Sequence, residues 1–200
     1  NILNASIVRR WVCSGSYNVA MPERRIEASD IRRTIGRMAH EILENNKGAQ
    51  DLVVVGVLAR GYPVARRLAF AMTQIEGVTI PCGGLDIRAY RDDLNQGEPP
   101  DDRSEIPFAV SDKKVILVDE VIMTGRTVRA ALDALMHYGR PSSVQLAALV
   151  DRGGRELPIQ PDYVGLRLEV EDDEWIEVQL AEEGGEDCIL IRKQEETCIS

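Results

Sequence analysis

Cysteine, histidine, aromatic residues and positive charge are all scarce in this 200-residue chain, and each shortage removes a class of function. The four cysteines (Cys13, Cys82, Cys188, Cys198) are widely scattered. No two stand at metal-ligand or redox spacing, which excludes a thiolate metal site and favours reduced thiols over a disulfide framework. Only two histidines occur, His40 and His137, and neither belongs to a Cys–His or Ser–His arrangement suited to a nucleophilic mechanism. No apolar run approaches membrane-spanning length, so a soluble, cytoplasmic protein without membrane contact is expected. Aromatics make up 4%, and Trp11 and Trp175 have no assignable role. With 24 Lys and Arg against 33 Asp and Glu, the formal net charge of -9 argues against a nonspecific polyanion binder, while leaving room for a local basic face. There is no internal repeat.

What is present is enough apolar residue, 44%, for one well-buried domain. The chemistry concentrates in Val115-Ile-Leu-Val-Asp-Glu-Val-Ile-Met-Thr-Gly-Arg-Thr127. Four apolar residues read as a strand buried on both faces, ending at the carboxylate pair Asp119 and Glu120. Thr124-Gly125-Arg126-Thr127 then turns into a helix whose apolar positions are Val128, Leu132 and Leu135. Free N–H groups at a helix start, with the Thr124 and Thr127 hydroxyls, can wrap a phosphate. The carboxylates would repel that phosphate but suit sugar hydroxyls and a hydrated divalent cation beside it. The stretch therefore predicts a site for a phosphorylated sugar.

Elsewhere, residues 1–20 hold no acid and several serines, and read as an extension before Met21-Pro22. They fit a transit-peptide remnant, which would place the protein in an organelle, an upstream reading-frame extension, or a flexible arm. A helix is predicted over Ile26 to Asn46, capped by Ser29 or Asp30, with Ile31, Ile35, Met38 and Ile42 on one face. Leu52 to Leu58 predicts a second buried strand, which leads through Ala59-Arg60-Gly61 into a helix carrying Val64, Leu68 and Met72. Leu85 to Tyr90 reads as a third strand, and residues 91–111 as a long mobile loop. Strands follow at Val144 to Val150 and Tyr163 to Leu168. The acidic part, 169–200, still shows strand-like Trp175 to Leu180 and Cys188 to Ile191 around Gly184-Gly185, consistent with a hairpin. Alternating strands and helices predict an open, mainly parallel α/β sheet with ligands at the strands' carboxyl ends.

The thirteen-residue stretch resembles the phosphoribosyl-pyrophosphate (PRPP) signature of the type I phosphoribosyltransferases. The surrounding chain is similar to one branch, the PyrR proteins, which are pyrimidine-operon attenuators and uracil phosphoribosyltransferases. The similarity runs from about Met21 to Gly165, through Arg32-Arg33, Ala39-His40-Glu41, Ala59-Arg60-Gly61, Asp86-Ile87 and Tyr90 to Leu94. It continues in Ile106-Pro107, Gly139 to Ala147, Leu149 to Gly153, Arg155 to Ile159 and Asp162 to Gly165. The resemblance implies a type I phosphoribosyltransferase fold over 21–200 with a small C-terminal hood. It also implies transfer of phosphoribose from PRPP to uracil with Mg²⁺, giving UMP and pyrophosphate, and a homodimer or homotetramer.

On the same ground, Asp119, Glu120 and Arg60 are the catalytic residues, and Asp119 and Glu120 neighbour a Mg²⁺ held largely through PRPP. Ala59-Arg60-Gly61 is the pyrophosphate loop, Val121, Ile122, Met123 and Thr124 to Thr127 complete the PRPP site, and Arg91 reaches the pyrophosphate. Arg152, Val164 and Gly165 lie near the base. His40 and Arg155 are the retained residues of an RNA-facing surface toward pyrimidine-leader mRNA. By itself His40 reads as structural or dimer-facing, and His137 as a helix-dipole partner.

Two departures bear on the outcome. After Gly165 the family's Lys-Asn-Ile-Pro-Thr-Ser gives way to Leu166-Arg167-Leu168-Glu169-Val170-Glu171, which opens the identity of the base. The RNA-facing surface has lost cations and polar groups at Gly36, Gly154, Gln160 and Leu166, which weakens the case for hairpin binding. The alternatives to uracil transfer are therefore an RNA attenuator that senses UMP, UTP or PRPP, and a phosphoribosyltransferase for another base.

Overall fold

Continuous apolar strands, each followed by an amphipathic helix, are what build a parallel sheet covered on both faces. The computed structural model, which describes residues 24–93, 100–171 and 173–193, has this architecture. After strand β1 (Arg24–Glu27) and helix α1 (Ala28–Asn46) come β2 (Leu52–Val57), α2 (Gly61–Glu76) and β3 (Cys82–Leu85). Then follow β4 (Lys114–Ile122), α3 (Arg126–Leu135), β5 (Ser143–Asp151) and β6 (Tyr163–Arg167), and last β7 (Glu174–Gln179) and β8 (Cys188–Lys193). Five strands form one parallel sheet in the order β3-β2-β4-β5-β6. The expected extension, residues 1–20, lies outside the described residues.

Alternation along the central strands sorts their side chains onto two faces. Leu52, Val54, Ile116, Val118, Ala147 and Leu149 join α1 and α2 in one core cluster. Val53, Val55, Val115, Leu117, Leu146 and Ala148 pack with Val128, Ala131 and Leu135 of α3 in the other. Strands buried on both faces need no polar alternation, which is why they read as unbroken apolar runs.

The hood is a separate three-stranded antiparallel sheet, β1-β8-β7. Val178, Leu180 and Ile189 carry it into the core on the α1 and α2 side. The predicted hairpin is β7–β8, but the third hood strand comes from the other end of the described chain. That strand claims Ile26, so the first helix starts at Ala28 rather than Ile26. Its N-cap is Glu27, without a side-chain cap bond; Asp30 sits in the first turn instead of capping. At the other end, left-handed Lys47 and Gly48 close the helix as Asn46-Lys47-Gly48 suggested, with the N–H of Gly48 bonded to the Leu43 carbonyl at 2.8 Å.

Two strand boundaries also move. The third strand is Cys82–Leu85, and Arg88–Tyr90 is a 3₁₀ turn. Gly83-Gly84 concealed the strand, because glycine signals turns, yet here it allows close approach: a Cβ on Gly83 would meet the Glu105 carbonyl oxygen at 2.8 Å. Gly84 and Glu105 exchange both backbone hydrogen bonds, at 2.9 and 2.8 Å. The second half of the expected loop is thus fastened to the sheet edge, and Val110 is fully buried. Residues 94–99 of that loop lie outside the described residues. Strand β4, for its part, runs on to Ile122, so Asp119 and Glu120 lie within it, not past its end.

Candidate active site

The register of the parallel strands brings the β2–α2 loop, the end of β4 and the end of β5 to one rim. Gly56 pairs with Val118, Asp119 with Ala148, and Ile122 with Asp151. From β2 the chain passes through a cis Leu58–Ala59 peptide to exposed Ala59 and Arg60, and α2 begins at Gly61. Gly61 is buried against β4, where a Cβ would lie 2.7 Å from the Val118 carbonyl oxygen and 3.1 Å from the Asp119 Cα. Gly61 thus admits the neighbouring strand at close range, which draws the Arg60 loop against Asp119.

Asp119 is 3% exposed. One of its oxygens accepts the Glu120 backbone N–H at 3.1 Å. Burial, with the Glu120 carboxylate next in line, pushes the Asp119 carboxyl well above the usual carboxylate range. Glu120 and Val121 are half-buried, and Ile122 is fully buried. Met123 and Thr124 make the turn, and Gly125, at φ 89°, closes it in the left-handed region that favours glycine. Thr124 is held from both sides: its carbonyl accepts the N–H groups of Glu156 and Leu157 at 3.0 Å each, and its hydroxyl oxygen accepts the Arg126 N–H at 3.3 Å. The turn leads into the ten-residue α3, whose first N–H groups have no helical partners, as at any helix start.

The Arg126 side chain is engaged by two carboxylates. Its guanidinium bridges Glu156 and Asp92, both at 2.7 Å. Arg129 donates to the Tyr90 carbonyl at 2.7 Å, so two α3 arginines hold the start of the loop that follows Tyr90. Arg91, between them, forks onto Asp93 (2.8 Å from Nε), and Asp93, Asp92 and Asp119 all favour its charged form. Arg152 donates to the Glu174 carbonyl of β7 at 2.7 Å and touches the Met123 sulfur, which ties rim to hood.

Asp119, Glu120, Ala59, Arg60, Gly61, Arg91, Arg152 and the 121–127 segment therefore share one edge of the sheet. Val164 pairs with Ala148, which pairs in turn with Asp119, so Val164 and Gly165 stand level with the acidic pair across the neighbouring strands, and their carbonyls accept Arg37 of α1 at 2.8 and 2.6 Å. Gly165 is required by packing, since a Cβ there would sit 2.3 Å from the Leu149 carbonyl oxygen. Further along β6, Leu166 and Arg167 pair with Val150 and Asp151. His40 is exposed on α1. Arg155 points inward, bonding Ile159 O at 3.0 Å, Met123 O at 2.8 Å and Asp151 at 2.8 Å with its side chain 13% exposed, so it braces the turn at Met123 against the end of β5.

Asp92 and Asp86 belong to the family similarity but carry no assigned role in the sequence, and Arg67 and Glu183 are not singled out there. Asp86, 8% exposed, accepts Arg88 and the Arg103 N–H, and its own N–H donates to the Ser104 hydroxyl. Arg60 faces Glu183 of the hood at 3.7 Å. Arg67 finds its carboxylates in the hood and Asp92 finds Arg126 on α3, partners distant in sequence that no local pattern announced.

Among known proteins, residues 25–183 match the phosphoribosyl transferase domain. The Bifunctional protein PyrR of Deinococcus radiodurans is 52% identical over 171 residues, covering 84% of this chain and 93% of that protein. The Enterococcus faecalis protein of the same name is 47% identical over 178 residues, covering 88% of this chain and all of its relative. A solved Trypanosoma cruzi hypoxanthine phosphoribosyl transferase superposes with a TM-score of 0.62 at 20% identity, covering 80% of this chain and 84% of that one, and shares the fold. On a mainly parallel sheet flanked by helices, a domain match over most of the chain and relatives half identical to it show that this chain belongs to the PyrR branch of the type I phosphoribosyltransferases.

Proposed function

We propose that the chain transfers phosphoribose from PRPP to uracil, forming UMP and releasing pyrophosphate. The observation that carries this reading is the meeting, at one sheet edge, of the Asp119–Glu120 pair with the Arg60 loop on one side and the Thr124–Thr127 turn on the other. In the reaction the bond from the anomeric carbon to pyrophosphate breaks, a bond to the base nitrogen forms, and that nitrogen's proton passes to solvent. Positive charge develops on the ribose, so the task is positioning and charge stabilisation more than acid–base work. The 124–127 turn would hold the 5′-phosphate, Asp119 and Glu120 the ribose hydroxyls, and Arg60 with Arg91 the departing pyrophosphate.

Mg²⁺ belongs to the same proposal. Among the described residues no three His, Cys, Asp or Glu side chains are grouped to hold a metal by themselves. That suits an ion bound mostly by PRPP oxygens, with Asp119 and Glu120 as protein neighbours; it would neutralise the leaving pyrophosphate and favour the ionised form of buried Asp119.

Base recognition is assigned to the end of β6. Val164, Gly165 and Arg152 are the candidate base-binding residues, and the segment from Leu166 to Leu168 that follows them carries the change from the family sequence. Because the family sequence changes here, another base is the alternative. UMP formation from uracil, PRPP and Mg²⁺, with hypoxanthine, guanine and orotate as competitors, decides between them. Transfer to uracil alone is expected, and preference for a competitor would overturn the base assignment. For RNA regulation His40, exposed on α1, and Arg155, which also bonds Ile159, Met123 and Asp151 within the protein, are the candidate contacts. Mobility shift with pyrimidine-leader RNA, with and without UMP, is expected to show weak binding; a tight, UMP-dependent shift would restore the attenuator reading. Assembly as a homodimer or homotetramer is proposed with it, and sedimentation would report a monomer if that is wrong.

A further inference from the structure

The hood meets α2 through two arginines that stand about two helical turns apart, on one side of the helix. Arg67 is gripped by two carboxylates at once. Its Nε and one terminal nitrogen donate to Glu182, at 2.8 and 2.5 Å, and its terminal nitrogens donate to Asp187 at 2.8 and 2.7 Å. Asp187 also accepts the Ala181 N–H at 2.8 Å. Side-chain exposures of 20% for Arg67 and 13% for Asp187 keep water from competing fully. Planar, bidentate, partly buried pairing of this kind is among the strong polar contacts.

The next residue makes the opposite kind of contact. Glu183 lies 3.7 Å from the Arg60 Nε, with the two side chains 38% and 49% exposed. Such a pair is worth little by itself. Its position is nevertheless fixed, because the 3₁₀ turn Ala181–Glu183 is closed by Glu183 N–H to Leu180 O at 2.9 Å and Gly184 N–H to Ala181 O at 3.0 Å. Gly184 sits at φ 89°, the left-handed conformation the turn needs. One rigid turn thus carries a firm attachment through Glu182 and a weak one through Glu183, and the weak one is aimed at the arginine of the exposed β2–α2 loop.

We propose that Glu183 is an internal competitor for Arg60, which a pyrophosphate group, free or as part of PRPP, must displace. The inference rests on the reading that the Arg60 loop receives pyrophosphate. Since Glu182 and Asp187 hold the turn in place, the displaced carboxylate stays close to a polyanion, and the repulsion scales with the several charges of that ligand. Glu183 therefore lowers affinity for both PRPP and product pyrophosphate and hastens pyrophosphate release. By linkage, occupancy of the Arg60 loop loosens the hood contact, and a loosened hood favours occupancy. UMP, which has no pyrophosphate, is indifferent to Glu183.

The test is calorimetric titration of the full chain, in Mg²⁺, with pyrophosphate, PRPP and UMP, comparing wild type with Glu183→Gln and Glu182→Gln. Glu183→Gln is expected to bind pyrophosphate and PRPP about three- to tenfold more tightly, with UMP unchanged and the gain shrinking as salt rises. Glu182→Gln, which weakens the attachment, is expected to disturb all three ligands together. Equal pyrophosphate affinity in wild type and Glu183→Gln would overturn the competitor role, as would a parallel change in UMP binding. Wild-type protein that binds UMP but neither pyrophosphate nor PRPP would overturn the reading of the Arg60 loop, and the competitor with it.

Discussion

Burying Asp119 beside Glu120 stores an electrostatic cost at the centre of the sheet's rim. Its folded-state pKa lies above its unfolded value, so the native state binds more protons in that window, and stability falls as pH rises from the ordinary aspartate range through the raised value. Asp119→Asn removes the cost. In metal-free buffer its melting temperature should exceed that of wild type at pH 7 by more than at pH 4. Phosphoribosyl transfer should fall about a hundredfold or more, as when a group that stabilises transition-state charge is lost. A variant less stable than wild type at neutral pH would contradict this account of the site. Asp86 has the reverse sign. Arg88 and backbone N–H groups hold it down to about 2, so it contributes stability that is present above the ordinary aspartate value and is lost as pH falls toward about 2. Acid unfolding followed by circular dichroism should begin at higher pH in Asp86→Asn.

At the scale of elements, glycines separate what helices and strands tolerate from what they require. Gly36 lies inside α1 with nothing within 4 Å of the point a Cβ would occupy, so Gly36→Ala should stabilise the fold by about 0.5–1 kcal/mol in a denaturant melt. Gly61→Ala would drive a methyl group into the β4 backbone at 2.7 Å, and should cost about 1–3 kcal/mol while raising the KM for PRPP. The two cannot be told apart by composition; only the neighbour decides. The same contrast marks what the sequence could reveal. β2, β4 and β5 were legible because strands covered on both faces are apolar throughout, and the acidic pair with Thr124-Gly125-Arg126-Thr127 was legible because its parts are contiguous. β3 was hidden by Gly83-Gly84, and β1 by Ile26, which continues the α1 pattern while serving the hood. Arg155 carried the look of a surface cation, but its acceptors are carbonyls that no sequence pattern reports. Arg60 could be read as a ligand residue, whereas Glu183 opposite it could not.

For the molecule as a whole, the hood is attached chiefly through Val178, Leu180 and Ile189 in the core and the Arg67 network at its margin. Arg67 holds the Glu182 and Asp187 carboxyls below their usual range, so docking contributes stability above that range and loses it as pH falls through the lowered values. Arg67→Met would leave two half-buried carboxylates without their shared cation. Amide hydrogen exchange in β7 and β8 should accelerate, while β2, β4 and β5 keep wild-type protection; uniform acceleration across both sheets would mean that the hood has no separate stability. The middle strand of that hood, β8, pairs on one side with β7, its neighbour in sequence, and on the other with β1, Arg24 lying opposite Ile191. During synthesis β1 therefore leaves the ribosome with its hydrogen-bonding edge open and waits for nearly all of the described chain before its partner arrives. The parallel sheet can assemble in that interval, but the hood can form only once Cys188–Lys193 has emerged, so a polypeptide interrupted before Cys188 would carry the Arg60 loop and the 124–127 turn without the β1-β8-β7 sheet.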